Sequence, residues 1–457
     1  MGDSWRRSPH GTFVAGTTPE RRLADPPLWI GGAAVTSEGP VSRTIATIAE
    51  NDLRTVVFVA PFPARTTLEF ARAVAGLDRV RLVGLFQKAP KDARAWGFSA
   101  VEVVPDVMSA DAIVAAVHRI RAQVGPVHRL LAVLEDLQVQ LAVARARLGI
   151  EGADPTTALR FRDKSRMKDA LRDAGLPCAR HALLHSAADA WAFVEQVGFP
   201  VVLKPPAGAG CRATMRVSSP QELAQTLAEA RPSPQREVLA EEFLTGAEYS
   251  FETITVAGQP RFWSITRYFP SPLAAMEQDW VQWCVVLPRE VDTPLFAKAR
   301  ALGLRTVQAL GLQDGVTHME WFHRPDGSLV IGEIAARPPG ARIVQLTSVA
   351  HGFDMKRAWA RAVVDRAFDG PWPRRRATGV AFLRGKGAGR VASVVGLDAA
   401  QERMGELVVD RKLPMVGAPR AQGYEGEGWV VVAHPETSQV KRALFDLITT
   451  VKVGYSD

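Results

Sequence analysis

The sequence predicts an α/β protein in which an open parallel sheet precedes a region of mixed helices and strands and a small C-terminal α+β segment. Between residues 54 and 150, short apolar runs that end in turn residues alternate with helical stretches, as in RTVVFVAPFP followed by TTLEFARAVAGL. This alternation is typical of a parallel sheet with covering helices. After residue 151 the pattern changes to capped helices, longer strands and glycine-rich turns.

These patterns divide the 457 residues into four segments, and a chain of this length is too long for a single hydrophobic core. Residues 1–53 are rich in Pro, Gly, Ser and Thr, and we predict a partly disordered extension there. A parallel α/β domain is predicted at 54–150, and a central domain at 151–375 with a small lid subdomain at about 165–236. A C-terminal domain is predicted at 376–457.

Composition excludes several classes of protein. Hydrophobic residues make up 47% of the chain and charged residues 23%, which is an ordinary globular balance. The net charge of +8 comes from basic residues that are scattered among acids, so we expect no nucleic-acid partner. No apolar run reaches the length of a membrane span, and the N-terminus lacks the apolar core of a signal peptide. The three cysteines are far apart and form no CxxC motif, which favours a reducing cytoplasm.

Two glutamates lie on either side of a predicted tight turn. In THMEWFHRPDGSLVIGEIAARPPG, two apolar runs flank Asp326-Gly327, which is a strong signal for a two-residue hairpin turn. Counting outward from that turn places Glu320 directly opposite Glu333, with their Cβ atoms about 5 Å apart. Such carboxylates repel each other unless a cation lies between them, and Mg²⁺ commonly takes one or two carboxylates plus phosphates. The alternative is a solvent-facing pair on an exposed hairpin.

A lysine closes an apolar strand immediately before a glycine-rich loop. In VVLKPPAGAGCRATMRV, Lys204 is followed by Gly208 and Gly210. Glycines let backbone N–H groups approach phosphate oxygens, and a lysine adds a compact positive charge. A phosphate site is one interpretation of this pattern and a plain glycine-rich hairpin is the other. Cys211 has no base nearby in sequence, so we interpret it as a small loop residue rather than a nucleophile.

A third segment, LAEEFLTGAE, carries acidic residues from one strand through a turn into the next. Carboxylates in this position can accept hydrogen bonds from an adenine amino group and from ribose hydroxyls. Taken alone, the pattern fits surface acids on a strand better than it fits a nucleotide site.

The order of the three features along the chain, from Lys204 through LAEEFLTGAE to the two glutamates, resembles the ATP-grasp superfamily. The segments EIAAR and GVAFLRGKGAGRVASVVGL are most similar to the L-amino-acid ligases, which belong to its carboxylate–amine ligase branch. The resemblance covers residues 54–457. It implies an ATP-grasp fold with a preceding parallel α/β domain and a small C-terminal α+β domain. It also implies ATP and Mg²⁺ (or Mn²⁺) as cofactors.

The resemblance further implies roles for individual residues. Lys164, in RDKSRMKDALRDAGLP, and Lys204 match the two nucleotide-binding lysines of the family. Glu320 and Glu333 match its metal-binding carboxylates, and Arg337 matches its phosphate-binding arginine, so Arg337 and Lys204 are the implied catalytic residues. The remaining nucleotide-binding positions match Gly208, Gly210, Glu241, Phe243, Leu244 and Glu248. Among these, Glu241 is expected to meet the adenine amino group, the backbone N–H of Leu244 the adenine ring, and Glu248 the ribose.

The chain departs from the family pattern at Ala335, where many members carry an Asn metal ligand. The amino-acid-ligase branch resembles this chain in that respect, and water would then supply the missing ligand. How many metal ions bind is left open.

The reaction implied by the resemblance is amide formation from a carboxylate and an amine by way of an acyl phosphate. The partners would be small molecules, and we assign Glu277, His318 and Arg342 to substrate binding. The alternative interpretation is that these residues have no substrate role. The aromatic residues around Glu277 would then be ordinary packed side chains, and Arg342 would be an exposed loop residue. Other ATP-grasp chemistry of the carboxylase type, or an ATP-binding module without turnover, remain as alternative functions. The sequence does not specify the substrates or decide whether the chain forms a homodimer.

Overall fold

The computed structural model describes residues 53–208, 213–278 and 280–456. The predicted N-terminal extension therefore lies outside the described residues, except for its last position. Gly210 and Cys211 of the glycine-rich loop also lie outside them.

The first described unit is a four-stranded parallel sheet, as predicted. Its strands are β1 (Arg54–Ala60), β2 (Val80–Phe86), β3 (Ala100–Val103) and β4 (Val127–Leu131). They are ordered β3-β2-β1-β4 across the sheet. The helices of this part of the chain are α1 (Arg65–Ala75), α2 (Ala110–Val124), α3 (Gln138–Leu148) and α4 (Pro155–Arg162).

A small antiparallel sheet follows in the region predicted as the lid. The next helix, α5 (Lys164–Asp173), begins at the predicted N-cap Asp163, whose carboxylate accepts from the backbone N–H groups of Ser165 and Arg166. The other elements of the region are β5 (His181–Leu184), α6 (Ala187–Val197), β6 (Val201–Lys204), β7 (Met215–Val217), α7 (Pro220–Ala230) and β8 (Val238–Glu242). The strand order is β5-β8-β6-β7, so β6 and β8 are direct neighbours.

The largest sheet has eight strands. Its strands are β9 (Ala247–Val256), β10 (Gln259–Phe269), β11 (Trp283–Leu287), β12 (Gly315–His323), β13 (Leu329–Ala335), β14 (Ala377–Leu383), β16 (Val408–Lys412) and β17 (Gly428–His434). Two other strands, β15 (Arg390–Val395) and β18 (Lys452–Ser456), form a separate antiparallel pair. The order across the large sheet is β13-β12-β9-β10-β11-β14-β17-β16. Because β11 pairs with β14, this sheet continues into the segment after residue 376. The domain boundary at 375 stays a prediction.

The described residues of this half form six further α-helices: α8 (Pro272–Glu277), α9 (Pro294–Leu310), α10 (Ile343–His351), α11 (Met355–Ala360), α12 (Leu397–Met404) and α13 (Thr437–Thr450). None of the described helices combines the length and the apolar composition that a membrane crossing requires.

The two faces of the large sheet differ in chemistry where β9, β12 and β13 lie side by side. One face presents Phe251, Met319 and Trp321 to an apolar core that includes residues of α5 and α9. Because strand side chains alternate, the other face presents Ser250 and Glu320. We call this second surface the site face.

A histidine in the described core predicts a pH-dependent loss of stability. His351 is buried, donates from Nδ1 to the Trp372 carbonyl at 2.9 Å and lies against the Phe262 ring. Burial, together with Arg374, lowers its pKa to about 4. Because the pKa of His351 is lower in the folded protein than in the unfolded chain, where it is about 6.5, the neutral imidazole contributes its full stabilisation above pH 6.5. This stabilisation is lost as the pH falls from 6.5 toward 4, and the loss reaches about 3 kcal/mol.

We therefore expect the urea midpoint to fall between pH 6.5 and pH 4, and to fall less in His351→Asn, whose amide can still donate to Trp372. An equal decrease in both proteins would contradict the assignment.

Candidate active site

Glu320 and Glu333 form a directly opposed pair on adjacent strands, as the sequence predicts. The side chains keep about a quarter of their surface exposed, 26% for Glu320 and 25% for Glu333. Both carboxylates therefore remain accessible to a ligand.

The turn that produces this register differs from the predicted one. The N–H of Gly327 donates to the Arg324 carbonyl and the N–H of Arg324 donates to the Ser328 carbonyl, so His323 pairs with Leu329. This loop is longer than the predicted two-residue turn at Asp326-Gly327, and that prediction was wrong.

A β-bulge at Gly332 restores the register. Trp321 pairs with Ile331 and Glu320 pairs with Glu333, so Gly332 is the extra residue. Residues 331 and 333 would share a face in a regular strand, but the bulge lets Ile331 enter the core while Glu333 joins the site face. The sequence-based register was therefore correct at the glutamates even though its turn was wrong.

The donor set fits Mg²⁺ or Mn²⁺ bound together with a nucleotide. The described residues hold no group of three or more His, Cys, Asp or Glu side chains that would enclose a metal ion by themselves. Two opposed carboxylates are instead the protein contribution typical of Mg²⁺, which completes its coordination with phosphate oxygens and water.

Two lysines lie beside the carboxylate of Glu333. Lys164 Nζ is 3.4 Å and Lys204 Nζ is 3.8 Å from Glu333 Oε2. Burial alone would raise the pKa of Glu333, but the neighbouring lysines, Lys164 first among them, lower it to about 2. Lys164 also donates to the Gly208 carbonyl at 2.8 Å, so the described start of the glycine-rich loop lies over this lysine. The predicted set of Lys164, Lys204, Gly208 and Glu333 therefore comes together in space.

Glu241 joins the same charged cluster through its side chain. Its Oε2 lies 2.9 Å from Lys204 Nζ, and its Oε1 lies 3.2 Å from the ammonium of Lys168. Burial opposes ionisation of Glu241, but Lys168 and Lys204 outweigh it and lower the pKa of this carboxyl. Because the Glu241 side chain is occupied by two ammonium groups, a contact with adenine would fall to its backbone.

The linker after β8 connects Glu242 to Ala247, the first residue of β9 in the large sheet. Phe243 lies under the guanidinium of Arg216 at 4.4 Å, and Leu244 packs with Ala179 and Val330. Glu248 is buried on the site face, where burial and the nearby Glu320 and Glu333 raise its pKa well above the ordinary value.

His318 is held in a buried pair next to the carboxylates. Its Nδ1 lies 2.9 Å from Glu252 Oε1 and its Nε2 lies 3.7 Å from Glu320 Oε1. Burial would lower the pKa of His318, but the hydrogen bonds with Glu252 and Glu320 outweigh it and raise the pKa to about 9. Thr266 donates to the second oxygen of Glu252 at 3.2 Å, which fixes this carboxylate.

Arg337 follows the end of β13 and contacts the first domain. Its Nε donates to Glu135 Oε2 at 3.1 Å, and Arg162 lies 3.2 Å from the other oxygen of Glu135. Arg337 is close enough to Glu333 to help lower the pKa of that carboxyl. The first domain therefore holds the arginine at the border of the charged cluster.

Two predicted substrate residues lie apart from the ion pairs of this cluster. Glu277 is exposed at the end of α8. Arg342 stacks on the Trp429 ring, with its guanidinium carbon 3.5 Å from the ring centroid, and Nη2 lies 3.5 Å from Asp410. Of the three predicted substrate residues, only His318 directly adjoins a residue of the carboxylate pair.

The sequence interpretation missed Lys168, Glu135 and Glu252. Lys168 follows Lys164 by four residues on α5, which places both lysines on one helix face. Glu252 alternates with Glu248 along β9, so both carboxylates point to the site face. These two spacings were available signals, whereas no local pattern marks Glu135.

Comparison with known proteins agrees with this geometry. Residues 169–348 match the ATP-grasp domain family. The L-arginine-specific L-amino acid ligase of Bacillus subtilis is 28% identical over 230 residues, which cover 49% of this chain and 54% of that protein. The match thus spans about half the length of that relative.

Two solved structures share the fold over most of the chain. The L-amino acid ligase of Bacillus licheniformis has a TM-score of 0.72 at 18% identity, covering 88% of this chain and 99% of that one. The N5-carboxyaminoimidazole ribonucleotide synthetase of Thermotoga maritima has a TM-score of 0.65 at 16% identity, covering 88% and 100%. Residues 169–348 of this chain therefore match the ATP-grasp domain, and that segment lies within the α/β fold that the chain shares with these solved structures.

Proposed function

We propose that this protein is an ADP-forming ligase that joins the carboxylate of an amino acid or related acid to an amine. The observation that carries the proposal is the opposed pair Glu320 and Glu333 with Lys164 and Lys204 beside it. This arrangement suits a polyphosphate and a divalent cation held over one sheet face. The ligase relative supports the choice of amide formation within the ATP-grasp fold.

In the proposed reaction the γ-phosphoryl group of ATP moves to a substrate carboxylate oxygen and ADP leaves. The amine lone pair then attacks the acyl carbon, the C–O bond to phosphate breaks, and the amine loses a proton. Phosphoryl transfer needs little covalent help, because positioning and charge stabilisation provide most of the acceleration.

The charged side chains divide this work between them. Glu320 and Glu333 would hold Mg²⁺ or Mn²⁺, which when bound neutralises charge on the β- and γ-phosphates. Lys164, Lys204 and Arg337 would offset the charge on the moving phosphoryl group. Gly208, whose carbonyl accepts a hydrogen bond from Lys164, would border the phosphates.

The nucleoside would lie along the linker from Glu241 to Glu248. Phe243 and Leu244 belong to this linker, and we assign the adenine amino group to Glu241 and the ribose to Glu248. The buried position of Glu248 supports a role inside the site rather than on the surface.

We assign the acyl acceptor region to the part of the site face that holds His318. The imidazolium of His318, held by Glu252, is suited to an anionic oxygen of the substrate. Arg342 and Glu277 remain assigned to substrate binding, with Arg342 placed beside Trp429 of the C-terminal segment. A reducing cytoplasm stays the proposed location, based on cysteine usage.

The decisive experiment is a matrix of carboxylates and amines incubated with the protein, ATP and Mg²⁺. We expect ADP and phosphate in equal amounts only when both substrates are present, with the amide detected by mass spectrometry. Bicarbonate with each amine tests carboxylase chemistry in the same matrix. Release of ADP that depends on no carboxylate would overturn the ligase proposal.

A further inference from the structure

Lys168 is a buried ammonium group between two parts of the nucleotide site. The residue is fully buried, and its Nζ contacts both Glu241 Oε1, at 3.2 Å, and the carbonyl oxygen of Gly332. A buried charge is tolerated only where partners replace water, so this ammonium group has few alternative positions. Burial lowers the pKa of Lys168 and the carboxylate of Glu241 opposes that shift.

The two contacts lie on different sheets. Glu241 belongs to β8 of the small sheet, directly before the linker assigned to adenine. Gly332 is the bulge residue of β13, directly before Glu333. An extra residue in a bulge is not paired in the strand ladder, and here a lysine side chain satisfies its carbonyl oxygen.

Other residues of helix α5 contact the same two parts of the site. Lys164, one turn earlier on α5, contacts Glu333 and the Gly208 carbonyl. The backbone N–H of Ile334 lies 3.2 Å from Met167 Sδ, so α5 follows β13 closely on this side. The bulge and the small sheet are thus both fixed to one helix.

We infer that Lys168 is a positioning residue that sets the adenine-side carboxylate Glu241 and the metal-side carboxylate Glu333 in one fixed relation. The inference rests on the proposed function, because it takes Glu241 as part of the nucleotide site and Glu333 as a metal ligand. Lys168 acts through these residues and touches no reacting atom. Nucleotide affinity and Mg²⁺ dependence should therefore change together when it is removed.

The test replaces Lys168 with Met, which keeps the aliphatic length and removes the charge. Binding of ATP is measured by calorimetry at several Mg²⁺ concentrations, without carboxylate or amine, so that failure of the ligase proposal leaves the test intact. We expect ATP affinity to fall by about tenfold or more. The Mg²⁺ concentration that gives half-saturation should rise by a similar factor, as it does when a partner of a metal ligand is lost. Lys356→Met is the control, because that lysine forms a 2.6 Å ion pair with Glu69 away from the cluster.

A double-mutant cycle separates positioning from general stability. In Glu241→Gln, loss of the Lys168 charge should reduce ATP affinity by a smaller factor than in the unmodified protein, because their ion pair is already broken. Fully additive losses, or unchanged ATP affinity and Mg²⁺ dependence in Lys168→Met, would overturn the inference.

If Lys168→Met does not fold, Lys168→Gln supplies the same readout, because an amide can still donate to the Gly332 carbonyl. An unfolded Gln variant would likewise count against the inference, since it would show that the lysine holds the fold rather than the site.

Discussion

Replacing Glu333 with Gln is expected to reduce Mg²⁺-dependent ATP turnover by about 100-fold or more, the upper range for loss of a group that organises a metal centre. The amide keeps the shape of the side chain but removes the negative charge opposite Glu320. A single remaining carboxylate would hold the cation weakly. Turnover at saturating ATP, measured across a Mg²⁺ titration, should not recover within the accessible range.

The fold should survive this substitution because both lysines beside Glu333 have other partners. Lys164 still donates to the Gly208 carbonyl, and Lys204 still contacts Glu241. The repulsion expected from two opposed carboxylates is already offset by these lysines. Since the pKa of Glu333 is about 2, ordinary changes of pH do not neutralise it, and the substitution is the direct way to remove its charge.

The control for this prediction is Glu229→Gln on α7, because Glu229 is exposed and lies outside the charged cluster. Its turnover should match that of the unmodified protein. Undiminished Mg²⁺-dependent turnover in Glu333→Gln would refute the metal assignment, provided that thermal unfolding shows both variants to be folded.

The register of the glutamate hairpin shows how far sequence reasoning extended. Alternating apolar residues and the Asp-Gly signal placed Glu320 opposite Glu333, and this pairing holds because the bulge at Gly332 offsets the longer loop. They did not reveal the longer loop or the bulge at Gly332. Glycine in a strand is a recognised bulge signal, but the need for one becomes clear only when Ile331 is known to enter the core. Capped helices such as α5 were predictable because their signals are local.

Contacts between distant segments could not be predicted in the same way. Glu135 lies 202 residues from Arg337 in the chain, and Lys168 lies 164 residues from Gly332. Such pairs depend on how the first domain, α5 and the large sheet pack together, and no spacing within one segment encodes that. Glu241 is an intermediate case, since it was assigned to the nucleotide site without its two lysine partners.

Replacing Lys204 with Met is expected to lower the rate of ATP turnover by about 100-fold, comparable with losing one donor that stabilises developing charge. Lys204 Nζ lies between Glu241 and Glu333, and its side chain is only 11% exposed. Burial alone would lower the pKa of Lys204, but Glu241 and Glu333 outweigh it and raise that pKa, so the ammonium group stays charged at neutral pH. A compact charge in this position can follow a phosphoryl group during transfer.

The size of the effect on kcat distinguishes this role from simple nucleotide binding. If Lys204 acts mainly in the transition state, kcat and kcat/KM for ATP should fall by similar factors, whereas a pure binding contact would raise KM and leave kcat unchanged. Glu241 keeps Lys168 as a partner in the variant, so the fold should persist and thermal unfolding can verify it. Lys298→Met, at an exposed position of α9, controls for loss of one positive charge. A variant with normal kcat and a raised KM alone would move Lys204 from the catalytic set to the binding set.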